Sequence, residues 1–109
     1  MSGNHFNQFD VWEIDLNPTK GSEVKKSRPC VIVSPNAMNQ HLNTVIVAPL
    51  SHTQKNYPSR IPSFFKNDAG EIMLDQIRCV DKIRLHEKLG SIDATNSKDI
   101  LKVLRTMFS

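Results

Sequence analysis

Val11-Trp12-Glu13-Ile14-Asp15-Leu16 alternates strictly, with Trp12, Ile14 and Leu16 on one side and Glu13 and Asp15 on the other. A period of two predicts a half-buried strand. Two further runs follow, Arg28-Pro29-Cys30-Val31-Ile32-Val33-Ser34 and Thr44-Val45-Ile46-Val47-Ala48-Pro49-Leu50. Both are short and almost wholly apolar, the pattern of strands covered on two faces. Pro29 fits at the start of its run, where no ladder donor is missed.

Outward from these runs, residues 17–27 hold a Pro, a Gly and three lysines with no usable period, which predicts a long, exposed, basic loop. Residues 35–40 suit one helical turn, and residues 51–58 a second polar loop. Residues 59–66 read as a strand interrupted by Pro62, hence an edge strand. Asn67-Asp68-Ala69-Gly70 reads as a turn. Residues 71–80 read as one long bent strand or two short ones. Ile100, Val103, Leu104, Met107 and Phe108 recur at helical spacing, with Thr95, Asn96 and Ser97 as candidate N-caps. The expected architecture is mainly β with a C-terminal helix: a small antiparallel barrel or curled sheet. Residues 1–8, polar in character, read as a flexible leader before a single domain over residues 9–109.

A chain of 109 residues supports one modest core. Its formal charge of +3 and pI of about 9.0 favour an anionic partner, nucleic acid or an acidic peptide. No apolar run approaches the roughly 18 residues of a membrane span, and the first residues lack the basic and apolar regions of a secretory signal. The expected location is cytoplasmic, with no membrane partner and with Cys30 and Cys79 as reduced, buried thiols. No CxxC or HxxxH spacing is present, so neither a metal site nor a cofactor is expected. The absence of a P-loop, nucleophile elbow or dinucleotide fingerprint removes nucleotide-driven enzymes.

Three groups of residues could carry chemistry. Lys20, Lys25, Lys26 and Arg28 cluster within nine positions around Glu23, either as a solvated charged loop or as a phosphate-tracking rim. Arg28 differs from the lysines because Pro29 biases it toward extended backbone on a rigid strand, where a planar guanidinium can hold two phosphate oxygens. Ser51-His52-Thr53 leaves the third strand and could either satisfy its own backbone or bind a phosphate or ribose hydroxyl, with His52 a candidate base. Asp75 and Arg78 lie in an apolar stretch. Asp75 is either one half of a structural ion pair or a carboxylate whose proton affinity is raised by burial.

These segments resemble a known family. Asp10 to Glu23 and Ser27 to Ser34 are similar to the opening of MazF/PemK-type toxins. Val47-Ala48-Pro49-Leu50-Ser51 resembles the end of their third strand, and Asp75 to Lys82 their later strand motif. The match runs from about residue 9 to the end in the family's order. The resemblance implies the SH3-like MazF/PemK/CcdB barrel, usually a homodimer, cleaving single-stranded RNA at specific sequences and neutralised by a small antitoxin. It implies Arg28, Ser51, Glu23 and Asp75 as catalytic residues, with Lys20, Lys25, Lys26, His52 and Arg78 in RNA binding. The expected chemistry is metal-independent attack of a ribose 2′-hydroxyl on its own phosphate. An acidic or amphipathic antitoxin tail would lie over the groove near Lys25, Lys26 and Arg28. Ser22 stands where some members carry histidine, Met73 where some carry arginine, and Ser51 is often threonine. The alternatives are a CcdB-like binder that poisons DNA gyrase and cuts nothing, or an SH3-like nucleic-acid module, for which one Trp, one Tyr and five Phe supply little stacking surface.

Overall fold

The computed structural model describes residues 5–23 and 27–109. Strands β1 (Asp10–Asp15), β2 (Ser27–Ile32), β3 (Thr44–Ser51), β4 (Arg60–Phe65), β5 (Asp68–Met73), β6 (Arg78–Asp81) and β7 (Leu85–Ser91) pair antiparallel. A six-residue helix α1 (Asn36–His41) follows β2, and α2 (Ala94–Met107) ends the chain. The sheet order is β4-β5-β3-β2-β1-β7, with β6 also paired to β3. The sheet curls into a barrel-like form without closing, and β4 is its edge, as the proline at position 62 predicts.

Alternation along β1 and β2 explains why both faces of the sheet are buried. Trp12 pairs with Cys30 and Ile14 with Arg28, while Val11 pairs with Val31. Trp12, Ile14, Leu16, Cys30 and Ile32 join Val45, Val47, Val80 and Leu85 in one cluster. Val11 and Val31 join Ala48, Ile61, Ile72, Leu74 and Ile100 in a second, against which Val103 and Leu104 of α2 pack. Thus α2 covers one face and the curled sheet encloses the other.

Pro49 lies fully buried in mid-strand. It is tolerated because β3 changes partner there: residues Thr44 to Val47 pair with β6, and Leu50 and Ser51 with β5. On that edge the missing N–H falls in the gap between partners.

Several boundaries differ from expectation. The turn sits at Lys66 and Asn67, whose φ values of 50° and 64° suit a two-residue primed hairpin turn. Asp68, Ala69 and Gly70 are instead strand residues. Gly70 is needed there because a Cβ would lie 1.8 Å from the Ser51 carbonyl oxygen. Residues 71–80 break at a 3-10 turn, Leu74–Gln76, and β7 carried no recognised signal. The cap of α2 is Asp93, which accepts the Asn96 N–H at 2.8 Å, rather than Thr95, Asn96 or Ser97. Met107 and Phe108 are exposed, because the helix outruns the sheet it covers.

Cys79 is exposed, since alternation along β6 points its neighbour Val80 inward, and no disulfide forms. Burial pushes the Cys30 thiol up to about 12, against the opposing influence of Arg28. Of the expected leader, residues 1–4 lie outside those described. Phe6 stacks on Trp12 at 4.9 Å, and the Gln8 amide donates to the Val33 carbonyl at 2.9 Å. Among the described residues, no helix is long and apolar enough to cross a membrane.

Candidate active site

Arg28 belongs to β2 on the same face as Ile14 and Cys30, at the rim of the enclosed cluster. Its guanidinium is half-buried. Nη1 reaches the Leu50 carbonyl at 3.5 Å, a long and weak contact. Nε is buried with no hydrogen-bond partner. A charged donor left unsatisfied in this way carries a desolvation penalty that an incoming anion would relieve.

Leu50 and Ser51 end β3 directly beside this arginine. The Ser51 hydroxyl lies 2.9 Å from Thr53 Oγ1 and accepts the Thr53 N–H at 3.1 Å. The chain therefore turns on its own serine, and Ser51 with exposed His52 lines a small recess. Either hydroxyl of the Ser51–Thr53 pair can be the donor, so one of the two protons is used between them.

A second, larger cavity of about 400 Å³ is lined by Leu16, Glu23, Pro49, Asp75, Gln76, Ile77 and Arg78. Glu23 folds its loop back: Oε1 accepts the Lys20 N–H at 2.6 Å, and Lys20 is exposed. Arg78 Nη1 donates to the Leu16 carbonyl at 2.9 Å, tying β6 to the end of β1.

Asp75 requires a correction. It lies in the 3-10 turn, not inside a strand, and its side chain is 33% exposed. Both its oxygens are held by Arg60, Nε to Oδ1 and Nη2 to Oδ2 at 2.9 Å each, and Ser59 donates to Oδ1 at 3.0 Å. The Arg60 guanidinium first, and then Ser59, hold its carboxyl below the usual carboxylate range. The reading of Asp75 as a proton acceptor raised by burial fails, because a bidentate cation outweighs the partial desolvation.

The same Arg60 donates through Nη1 to Glu71 at 2.9 Å, and Glu71 also accepts the Lys55 N–H at 2.8 Å. Glu71 is buried to 2% side-chain exposure. This Glu71–Arg60–Asp75 chain escaped the sequence reading, since its members come from three separate segments. Arg84 escaped too. Its Nη1 donates to the Asp15 carbonyl at 3.1 Å and to that of Asn17, bracing the point where the basic loop leaves β1.

Of the expected site residues, Glu23, Asp75 and Arg78 meet in one cavity. Arg28 and Ser51 meet at Leu50, with His52 beside them, and Lys20 sits on the Glu23 loop. Lys25 and Lys26 lie outside the described residues. Among the described residues, no three His, Cys, Asp or Glu side chains gather closely enough to hold a metal ion.

Comparison with known proteins bears on what this geometry does. The family described as PemK-like, MazF-like toxins of type II toxin–antitoxin systems matches residues 7–108. An endoribonuclease MazF of Staphylococcus saprophyticus is 37% identical over 99 residues, covering 84% of this chain and 81% of its own. Among solved structures, MazF from Deinococcus radiodurans superposes with a TM-score of 0.80 at 22% identity, covering 94% of each chain. An endoribonuclease from a mycobacterial species, solved in complex with its cognate antitoxin, gives a TM-score of 0.78 at 25% identity over 92% of this chain and 91% of its own.

Proposed function

The chain belongs to the PemK-like, MazF-like toxins of type II toxin–antitoxin systems and is a homologue of MazF endoribonucleases, and from that premise we propose how it cuts single-stranded RNA. The observation that carries the reading is Arg28: a buried, unpartnered guanidinium nitrogen on a rigid strand, whose Nη1 reaches the Leu50 carbonyl one residue before the Ser51 hydroxyl. That pair suits a phosphorane, whose extra negative charge needs preorganised donors.

Glu23 takes the proton of the ribose 2′-hydroxyl, O2′ bonds to phosphorus, and the bond from phosphorus to the 5′-oxygen breaks. His52, exposed at the edge of the Ser51 recess, returns a proton to that oxygen. The products are a 2′,3′-cyclic phosphate and a 5′-hydroxyl end. Arg28 remains charged throughout, since guanidinium is too weak an acid to serve as the donor. Asp75 takes no part in proton transfer. Lys20, Lys25 and Lys26 supply the phosphate-tracking rim.

The reading extends to partners. A cognate antitoxin neutralises the enzyme by laying an acidic or amphipathic tail over the groove at Arg28. The domain over residues 9–109 pairs as a homodimer and works in the cytoplasm, where its mRNA substrate is. Exposed Ile83 and Phe108 are apolar side chains available for such contacts. The CcdB-like, gyrase-poisoning alternative is not favoured, because the relative at 37% identity is an endoribonuclease.

The test is cleavage of a long RNA with sequencing of the 5′ ends. Cutting should persist in excess EDTA and stop when the ribose at the cut site is replaced by 2′-deoxyribose. Activity restored only by magnesium, or a cut at the deoxy position, would overturn internal transesterification. DNA gyrase inhibition without RNA cleavage would favour the binder.

A further inference from the structure

We propose that Glu71 is a positioning residue for the cleavage reaction: it fastens the loop over residues 51–59 and so sets where Ser51 and His52 stand. The proposal rests on the RNA-cleaving reading for the reaction that it serves, but it concerns a buried side chain outside the groups that meet the phosphate.

A carboxylate is an unusual occupant of this place. Glu71 lies buried in β5, between Ser51 of β3 and Pro62 of β4, which pair with it on either side. A well-packed apolar side chain of similar volume at such a site is often neutral or stabilising, so cohesion of the core alone does not call for an acid there. What the carboxylate supplies is two acceptor oxygens that can hold separate partners. Oε1 takes the Lys55 N–H at 2.8 Å, and Oε2 takes Arg60 Nη1 at 2.9 Å.

The first of those bonds closes an arch. Ser51 is fixed to Glu71 by strand pairing, and Lys55, four residues on, is fixed to the same residue by its carboxylate. Between them the Gln54 side-chain amide donates to the Gly70 carbonyl at 2.9 Å. His52 and Thr53 form the crown of this arch, and the Thr53 N–H donates to Ser51 Oγ at 3.1 Å. The setting of the Ser51 hydroxyl therefore depends on where the arch carries Thr53.

The second bond extends the hold along the loop. Arg60 reaches on to Asp75, and each member of the Glu71–Arg60–Asp75 chain takes one loop residue. Glu71 holds Lys55. Arg60 lies 4.9 Å from the centre of the Tyr57 ring, and its own backbone N–H donates to the Tyr57 carbonyl at 3.0 Å. Asp75 accepts the Ser59 hydroxyl at 3.0 Å. Every second residue from 55 to 59 is thus tied to one chain of charges. An untied polar loop samples many backbone states. A tied one presents its donors already in place, which is what stabilising a phosphorane requires.

The test separates positioning from plain structural support. Glu71→Leu fills the buried place with an apolar side chain and leaves Arg60 its two bonds to Asp75. Gln54→Ala opens the arch at an exposed residue, where truncation costs little stability. Well below each variant's melt, cleavage by folded Glu71→Leu should show kcat lowered about 10–100-fold, the scale of a small displacement of reacting groups, with KM little altered. Gln54→Ala should lower kcat in the same sense. The double variant should be no slower than Glu71→Leu alone, because both changes open one arch. A merely structural Glu71 predicts the parent's kcat for both single variants below their melts.

A second readout needs no RNA. Amide hydrogen exchange of the intact protein, followed by NMR, should show the Lys55 and Thr53 N–H groups exchanging about tenfold faster in Glu71→Leu, the equivalent of one lost hydrogen bond. Amides paired within β3 and β5 should keep the parent's rates. Parental kcat in folded Glu71→Leu and Gln54→Ala overturns the positioning role and leaves the nuclease reading intact. Unchanged Lys55 exchange overturns the arch. If Glu71→Leu does not fold, Gln54→Ala decides by the same two readouts. A parent protein that cuts no RNA overturns the nuclease reading and the positioning role together, whatever the exchange shows.

Discussion

Arg28 owes its chemistry to position. Pro29 biases it toward extended backbone, pairing with Ile14 holds it there, and the enclosed core behind it removes water from Nε. Were it merely another surface cation, Arg28→Ala would change stability by no more than about 0.5 kcal/mol and weaken RNA binding slightly. As a preorganised donor to the phosphorane, it should instead contribute roughly 10²–10³-fold to the cleavage rate. Arg28→Lys should rescue poorly, because an ammonium lacks the planar fork. Single-turnover cleavage at saturating enzyme, with a melt of each variant, reads both quantities. An Arg28→Ala protein that melts and cuts like the parent removes Arg28 from the site. At this scale the local setting of Arg28 and Ser51 is legible in the sequence, because their neighbours in the chain create it. The sequence is a poor guide to Asp75, whose behaviour is decided by Arg60, fifteen residues away.

Elements in this fold act through their junctions. The 3-10 turn Leu74–Gln76 is pinned to β4 and β5 by Arg60, which pairs across β4 and β5 with Met73. Some relatives of the resembled family carry arginine at the position of Met73; here the guanidinium beside Asp75 comes from the facing strand. Replacing Arg60 with Met would strand Glu71 as a buried charge with only the Lys55 N–H, a loss of roughly 3 kcal/mol or more. The pH dependence has a definite sign. The Asp75 carboxyl lies below its ordinary value of 3.8, so its contribution is complete well above that value and is lost as acid protonates it. Parent protein should therefore lose melting temperature from about pH 5 downward, and Arg60→Met should show a lower but flatter profile over that interval. Equal slopes for the two would exclude the Arg60–Asp75 pair as the source. Strands with a strict period were readable in the sequence. The partner switch at Pro49 and the close approach at Gly70 were not, because both depend on which strand lies opposite.

Across the whole molecule, two apolar clusters share one sheet. The existence of a mainly β fold with a terminal helix was legible because alternation and helical spacing are local. The two-faced burial was only hinted at by the apolar runs in β2 and β3, and β7 was missed because its residues are mostly exposed. This sharing makes α2 part of the same cooperative unit as the end of the barrel that carries the candidate site. Ile100 is fully buried in the cluster that holds Val11 and Val31, while Trp12 and Cys30, their neighbours in β1 and β2, face the other cluster. Neither cluster can lose its order without freeing strands that build its counterpart. Ile100→Ala should therefore destabilise the protein by about 2–5 kcal/mol, the usual range for a buried aliphatic truncation. For a domain of this size, that lowers the melting temperature by roughly 8–40 °C, taking about 4–8 °C per kcal/mol. Fluorescence of Trp12, the one tryptophan, reports the enclosed cluster, and far-ultraviolet circular dichroism reports α2 together with the sheet. Both probes should fall together in the variant, at one shared, lower midpoint, with cleavage of RNA intact well below it. Early loss of helical signal with the Trp12 transition left at the parent's midpoint would make α2 an appendage, and the barrel with its candidate site would then stand without it.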